Sequence, residues 1–239
     1  MPETLSHEIL MSGFPARSAR GFLGWSTIVL LQTRRGYALF DTGGSGDRPG
    51  LMAKLTERGI DPKDIRTVIL SHLHFDHIGN SEYFPKAQIV LHQSEVDYVR
   101  EHMDDDPALS RYQVEGLLRS PQLTLVSGEP DVLPGIRMIS TPGHTGGHVS
   151  LVITVGDKCI VLAQDAIKHR GEIETGIPLG AFDQEAGRES IRRIVDMADI
   201  IVPGHDGTLI MEDGRVLAAS PLAAEVILTL DGRRITLEV

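Results

Sequence analysis

The sequence predicts an α/β sandwich of two sheets with helices on their outer faces, and three observations carry that expectation. Apolar, β-branched runs such as Thr67-Val68-Ile69-Leu70 and Ile200-Ile201-Val202 alternate with helix-patterned segments in two halves of similar rhythm. Several of these runs end in Gly-rich or turn-prone loops that carry His or Asp, as expected where a rigid scaffold delivers functional side chains. No linker or low-complexity stretch divides the 239 residues, so a single domain over 1–239 with a substantial core is expected.

Ser26 to Thr33 and Gly36 to Asp41 read as a hairpin turning around Arg34-Arg35-Gly36, and Arg48 to Arg58 as a helix. Thr67 to Leu70 and Gln88 to His92 read as further strands. Asp104 to Pro121 lacks a clear pattern. Its opening, Asp104-Asp105-Asp106-Pro107, is expected to be a solvated helix start rather than another metal site, with Pro107 to Leu118 helical near the site mouth. Ile136 to Ser140, Val149 to Val155 and Cys159 to Ala163 read as strands. Ala186 to Met197 is expected to be a helix with Ile191, Ile194, Val195 and Ala198 on one face, and Ile200 to Val202 returns as a strand. Glu225 to Leu237 reads as a hairpin.

The segment Ser71-His72-Leu73-His74-Phe75-Asp76-His77 places four metal-competent side chains within six residues, directly after a strand. Imidazole and carboxylate are the usual ligands of zinc and similar divalent ions, and catalytic sites keep an open position for water. One such motif cannot complete two metal shells. Further candidates are His144 in Thr141-Pro142-Gly143-His144-Thr145-Gly146-Gly147-His148, Asp165 after Cys159 to Gln164, and His205 in Val202-Pro203-Gly204-His205. His148, His92, His7 and His102 match no ligand position and are expected to be structural or solvated, with His148 a supporting group near His144.

This pattern resembles the signature of the metallo-β-lactamase-fold hydrolase superfamily, HxHxDH followed in order by His, Asp and His. The resemblance covers nearly the whole chain, and Phe40-Asp41-Thr42-Gly43 looks like the family's early Asp-x-Gly turn. It implies a four-layer αββα sandwich around two divalent ions, zinc by first expectation, with iron, manganese or cobalt also accepted by such ligands. Carried over, His72, His74 and His144 would hold one ion, Asp76, His77 and His205 the other, and Asp165 would bridge both, with Asp41 as a supporting group. Two cations about 3.5 to 4 Å apart would share a hydroxide that attacks the substrate carbonyl. Asp76 would then protonate the leaving oxygen, or serve mainly as a ligand.

Within that family, residues 71–77 are similar to the quorum-quenching lactonases. His77-Ile78-Gly79-Asn80, Phe84-Pro85 and Ala198 to His205 resemble small metallo-β-lactamase domain proteins linked to RNA cleavage. A bridging Asp165 departs from true β-lactamases, and a histidine at position 74 departs from the flavodiiron oxygen reductases. The expected function is dinuclear hydrolysis of a lactone or carboxylic ester. A phosphodiesterase or ribonuclease is the alternative, and a glyoxalase-type thioesterase or a non-catalytic metal-binding domain are minor ones. Acyl-homoserine lactonases commonly carry tyrosine three residues after the bridging Asp, where Lys168 stands here. A lysine there would either grip an anionic or hydroxylated substrate or be a solvated loop residue. Phe22 and Trp25, in a Gly-rich loop, either line a pocket for an apolar tail or pack in the core.

Composition narrows the partners. A net charge of -10 offers no broad attraction for phosphate backbones, leaving only a local patch such as Lys168-His169-Arg170 for nucleic acid. No apolar run approaches the ~20 residues of a membrane span and no leader pattern opens the chain, so the cytoplasm is expected. The single Cys159 excludes an intramolecular disulfide and is expected to be a small buried apolar residue. The expected partner is a small-molecule ester or lactone, and a homodimer is left open.

Overall fold

A computed structural model describes residues 5–23, 25–227 and 233–238. Its strands in chain order are β1 (Ser6–Met11), β2 (Arg17–Ser18), β3 (Gly21–Phe22), β4 (Ile28–Thr33), β5 (Gly36–Phe40), β6 (Ile65–Ile69), β7 (Gln88–His92), β8 (Leu123–Val126) and β9 (Asp131–Leu133). They continue with β10 (Ile136–Ser140), β11 (Val149–Val155), β12 (Lys158–Gln164), β13 (Ile200–Pro203), β14 (Leu209–Glu212), β15 (Arg215–Ala219), β16 (Ala223–Ile227) and β17 (Arg234–Glu238). The helices are α1 (Arg48–Glu57), α2 (Phe75–Ile78), α3 (Gln93–His102), α4 (Arg111–Leu118), α5 (Arg170–Thr175) and α6 (Gln184–Met197).

Two sheets form the centre, one ordered β1-β4-β5-β6-β7-β8 and the other β15-β14-β13-β12-β11-β10-β9. Period-2 alternation in apolar strands lets each face two layers. In β4, Ile28 and Leu30 join an outer core with Leu51 and Leu55 of α1, Val96 and Val99 of α3 and Val114 of α4. Val29 and Leu31 point the other way and meet Leu151, Ile153, Ile160 and Leu162 of the opposite sheet. Beyond the second sheet, Val161, Ala163 and Ile201 pack against Ile191 and Ile194 of α6. The result is the expected αββα sandwich, with each fully buried aliphatic side chain contributing about 1.5–3 kcal/mol.

The strands β5, β6, β7 and β8 run parallel, as do β12 and β13. The segments after β5, β6, β12 and β13 therefore gather at the carboxyl ends of their sheets, where open α/β sheets bind ligands. Asp41 (φ 58°) and Gln164 (φ 48°) hold left-handed backbone as the chain leaves β5 and ends β12. Such conformations cost about 1–3 kcal/mol in a non-glycine residue and collect at functional sites.

Several expectations need correction. The first hairpin strand begins at Ile28, because Ser26 and Thr27 turn their hydroxyls to the carbonyls of Asp76 and Pro203. Helix α4 starts at Arg111 instead of Pro107, and residues 107–110 are loop. Helix α3 was not foreseen, although Val96 and Val99 place an apolar pair one turn apart on its buried face. Cys159 is half-buried rather than fully enclosed. Strands β16 and β17 pair antiparallel, while residues 228–232 of the expected hairpin lie outside the described residues. Among the described residues, no helix is long and apolar enough to cross a membrane.

Candidate metal centre

The chain leaves β6 through Ser71 and His72 and closes the short helix α2 over Asp76, His77 and Ile78. Asp41 fixes this turn from β5. Its fully buried carboxylate accepts the Ser71 amide (2.8 Å) and hydroxyl (2.6 Å) and faces Nδ1 of His77 at 2.7 Å. With Nδ1 donating to Asp41, Nε2 is the nitrogen of His77 left to face a metal. Burial pushes the Asp41 carboxyl up, against the opposing pull of His77 and Ser71. The Ser71 hydroxyl also lies 2.9 Å from Nδ1 of His72.

The second sheet brings the remaining candidates. His144 sits in the loop between β10 and β11, Asp165 follows β12, and His205 follows β13. Nδ1 of His205 donates to the Trp25 carbonyl at 2.7 Å, which again leaves Nε2 facing inward. Gly204 is required beside it, because a Cβ there would meet Oδ1 of Asp165 at 2.1 Å. Asp206 accepts both the backbone amide and the guanidinium of Arg170, tying down the loop after Lys168. Glu95, fully buried on α3, accepts the Leu73 amide (2.9 Å) and the Thr145 hydroxyl (2.6 Å), so one carboxylate clamps both ligand-bearing loops.

Ligand-type atoms converge in three overlapping sets whose members lie within 4.8 Å of one another: His72, His74 and His144; His72, His77 and Asp165; and Asp76, His77 and His205. Asp165 stands between the outer two, with Oδ2 3.2 Å from His144 Nε2 and Oδ1 3.2 Å from His205 Nε2 and 3.3 Å from His77 Nε2. His74 Nδ1 lies 2.9 Å from His144 Nε2. Nε2 of His72, Nε2 of His77 and Oδ1 of Asp165 are buried without a well-aligned hydrogen-bond partner. Buried polar atoms are rarely left so, and these three face one another in a nest of imidazoles and carboxylates, as a divalent cation requires. The residues therefore fit a metal.

The electrostatics divide. Burial, and then the neighbouring His77, holds the His72 imidazole well below its ordinary range. Burial and the Lys168 ammonium do the same to His144. His77 is likewise opposed by burial, yet Asp76, Asp165 and Asp41 raise it well above that range. His205 is raised against burial by Asp165 and Asp76. Burial would raise the Asp165 carboxyl, but His205, His77 and His144 draw it well below the usual carboxylate range.

Above the centre lies a pocket of about 750 Å³. Asp76, Asp165, His144 and His205 lie among its lining residues, and Phe14, Phe22, Phe75, Leu179 and Phe182 give it apolar walls. Phe22 is among the lining residues and is exposed. Trp25 is not among the lining residues: its ring packs on Phe14 (5.5 Å between centroids) and its functional contact is the backbone carbonyl under His205. Lys168 lines the pocket, but its ammonium already reaches the Leu179 carbonyl (2.7 Å) and lies 2.9 Å from Nδ1 of His144. His148 is buried with Nδ1 2.9 Å from the Thr141 hydroxyl, and its ring lies closer to His72 (5.1 Å) than to His144 (6.3 Å). His102, expected to be structural or solvated, reaches the pocket wall and stacks on Phe182. His92 caps α3 through Nδ1, and His7 is half-buried in β1.

The acidic run is the largest correction. Asp106 does not start a solvated helix: Ser110 stands at the N-cap of α4. Oδ2 of Asp106 instead lies 2.8 Å from Nε2 of His74 and accepts the Tyr98 hydroxyl at 2.9 Å. Burial opposes its ionisation, but hydrogen bonds from His74, Ala108 and Tyr98 hold its carboxyl down at about 2. The only sequence signal was the crowding of three carboxylates, which does not say that one turns inward.

Comparison with known proteins agrees with this geometry. The sequence profile of the metallo-beta-lactamase superfamily matches residues 22–205. An N-acyl homoserine lactonase from a Bacillus species is 30% identical over 205 residues, covering 74% of this chain and 79% of that protein. Metallo-beta-lactamase domain-containing protein 1 of Mus musculus is 31% identical over 205 residues, covering 82% and 71%. The crystal structure of a quorum-quenching N-acyl homoserine lactone lactonase superposes with a TM-score of 0.59 at 28% identity, covering 70% of this chain and 72% of that one. The chain belongs to the metallo-beta-lactamase superfamily, as an enzyme related to its lactone hydrolases.

Proposed function

We propose that this chain is a dinuclear metal-dependent hydrolase that opens a lactone or cleaves a carboxylic ester. His72, His74 and His144 would hold one divalent ion, Asp76, His77 and His205 the other, and Asp165 both. The observation that carries the reading is the convergence of Nε2 of His72, Nε2 of His77 and Oδ1 of Asp165, all buried without a well-aligned hydrogen-bond partner, beneath a pocket of small-molecule size. Zinc is the first candidate, with iron, manganese or cobalt compatible with the same donors.

When bound, two such ions would make water nucleophilic near neutral pH and polarise a carbonyl. The chain's own groups do the rest. Asp41 and the Trp25 carbonyl hold His77 and His205 with Nε2 inward, so the centre needs little reorganisation. Asp76 lines the pocket with Oδ2 3.7 Å from His205 Nε2, from where its carboxylate would take a proton from the attacking oxygen and pass it to the leaving one. The aromatic walls exclude water and receive the apolar part of a substrate, in keeping with the N-acyl homoserine lactones named for the bacterial relatives. Lys168 donates to the Leu179 carbonyl and would offer a remaining N–H to a substrate oxygen.

Acid release from a panel of lactones, simple esters and phosphodiesters tests this, with zinc- or manganese-loaded protein and an Asp165→Asn variant alongside. Turnover of lactones or esters that disappears in the variant supports the reading. A fully loaded protein that turns over only phosphodiesters replaces it with the nuclease alternative.

A further inference from the structure

We infer that Asp106 is a positioning residue for the metal centre, acting through His74 from the wall of the substrate pocket; the inference rests on the metal-binding reading above. No ligand motif contains this residue. It lies 30 positions after Asp76 in a loop that is half-exposed apart from the carboxylate's own contacts.

The geometry specifies what it does. Nδ1 of His74 faces His144 and the ligand cluster, while Nε2 faces Asp106 at 2.8 Å. A carboxylate at Nε2 keeps the proton on that nitrogen and leaves the lone pair on Nδ1, the atom the first ion would use. It also raises the basicity of the ring, as carboxylate partners of metal-bound imidazoles do. Histidines 72, 77 and 205 obtain the same orientation from Ser71, Asp41 and the Trp25 carbonyl. Asp106 is the corresponding group for His74, supplied from a different part of the chain.

Asp106 is itself held on several sides. Its Oδ1 accepts the Ala108 amide at 2.9 Å, and its Oδ2 takes the Tyr98 hydroxyl as well as His74. The loop behind it is strapped to the ligand segment by an isolated antiparallel bridge between His74 and Leu109 and by the Phe75 amide donating to the Ala108 carbonyl at 3.0 Å. Asp105, Asp106, Pro107 and Ala108 all line the pocket, as does Tyr98. The wall that meets the substrate and the group that orients His74 are thus one short segment, and a change in this loop reaches the first ion without touching a ligand.

The test is metal affinity measured by chelator competition, with metal content per chain and melting temperature recorded on the same samples of the full chain. Asp106→Asn keeps the shape and an oxygen acceptor but removes the charge, and Asp106→Ala removes both. A roughly 10–100-fold loss of affinity confined to one of the two ions, larger for Ala than Asn, is expected. Tyr98→Phe, which keeps Asp106 in place, should change affinity less than either. A lower melting temperature with both affinities unchanged in both Asp106 variants overturns the inference, and so does equal weakening of both ions. If the parent chain binds no metal at all, it is the metal-binding reading that fails.

Discussion

The two ends of the centre are built from different chemistry. His72, His74 and His144 form an all-imidazole set with the Lys168 ammonium beside it, and His72 and His144 are held well below their ordinary range. Asp76, His77 and His205 include a carboxylate and have Asp41 behind them, and here both imidazoles are raised. Without an ion His77 and His205 therefore keep protons that His72 and His144 have lost, and a cation entering the second set must displace them. Equal numbers of ligands need not mean equal loading.

The most severe way to break this comparison is to remove the group the two ends share. Asp165→Asn should cost far more than the ~10–100-fold typical of an outer-shell partner, and metal content should fall below two ions per chain. Two tight ions retained in that variant would show that the sets are independent. Ion removal comes next. Stripping both ions with a chelator should lower stability by about 4 kcal/mol for each ion relative to protein held at 1,000 times that ion's dissociation constant, read as a drop in melting temperature.

The proton asymmetry predicts a difference in pH dependence. His77 and His205 are raised, so affinity at the second set should climb as pH rises through their titration, by up to about tenfold per pH unit for each proton displaced. His72 and His144, held low, should add no such slope at the first set. Calorimetry in buffers of different ionisation enthalpy measures the released protons directly. In the same comparison, Asp41→Asn should weaken the second ion by about 10–100-fold and spare the first, because Asp41 reaches the centre through His77.

Asp47 sharpens the picture on the acidic side. Burial, with the Asp76 charge adding to it, pushes its carboxyl up to about 6. A carboxyl raised in the folded state favours folding most when protonated, so this contribution is present below about pH 4 and is lost as pH rises through 6. In metal-free protein, Asp47→Asn should be more stable than the parent by about 1–2 kcal/mol at pH 8, allowing for partial solvent screening, and equal to it at pH 4. Urea unfolding at the two pH values decides. The smallest effect is expected at Lys168: Lys168→Ala should raise KM by less than tenfold for substrates bearing an anionic or hydroxyl group and leave KM for plain esters unchanged.

Much of this centre could be read from the chain. The strands Ile136 to Ser140 and Val149 to Val155 run as expected from their apolar pattern, and every ligand candidate from His72 to His205 stands in the loop or short helix that follows a strand. Asp41 was legible through its Asp-x-Gly turn. The contacts that Trp25 and Asp106 make in the centre were not legible in the chain, for one reason. Trp25 acts through its carbonyl, which every residue possesses, and Asp106 acts by turning inward from an acidic run that looks like any solvated one.

The identity and order of His and Asp determined by themselves which chemistry this protein has available, because only such side chains offer the lone pairs a divalent ion needs, and apolar alternation determined which segments become strands. Tertiary structure decided how His74, His77 and His205 are aimed. Their partners arrive from 32 residues away at Asp106, 36 at Asp41 and 180 at Trp25. A buried donor or acceptor is stable only where such a partner reaches it, and no local pattern in the chain records that meeting.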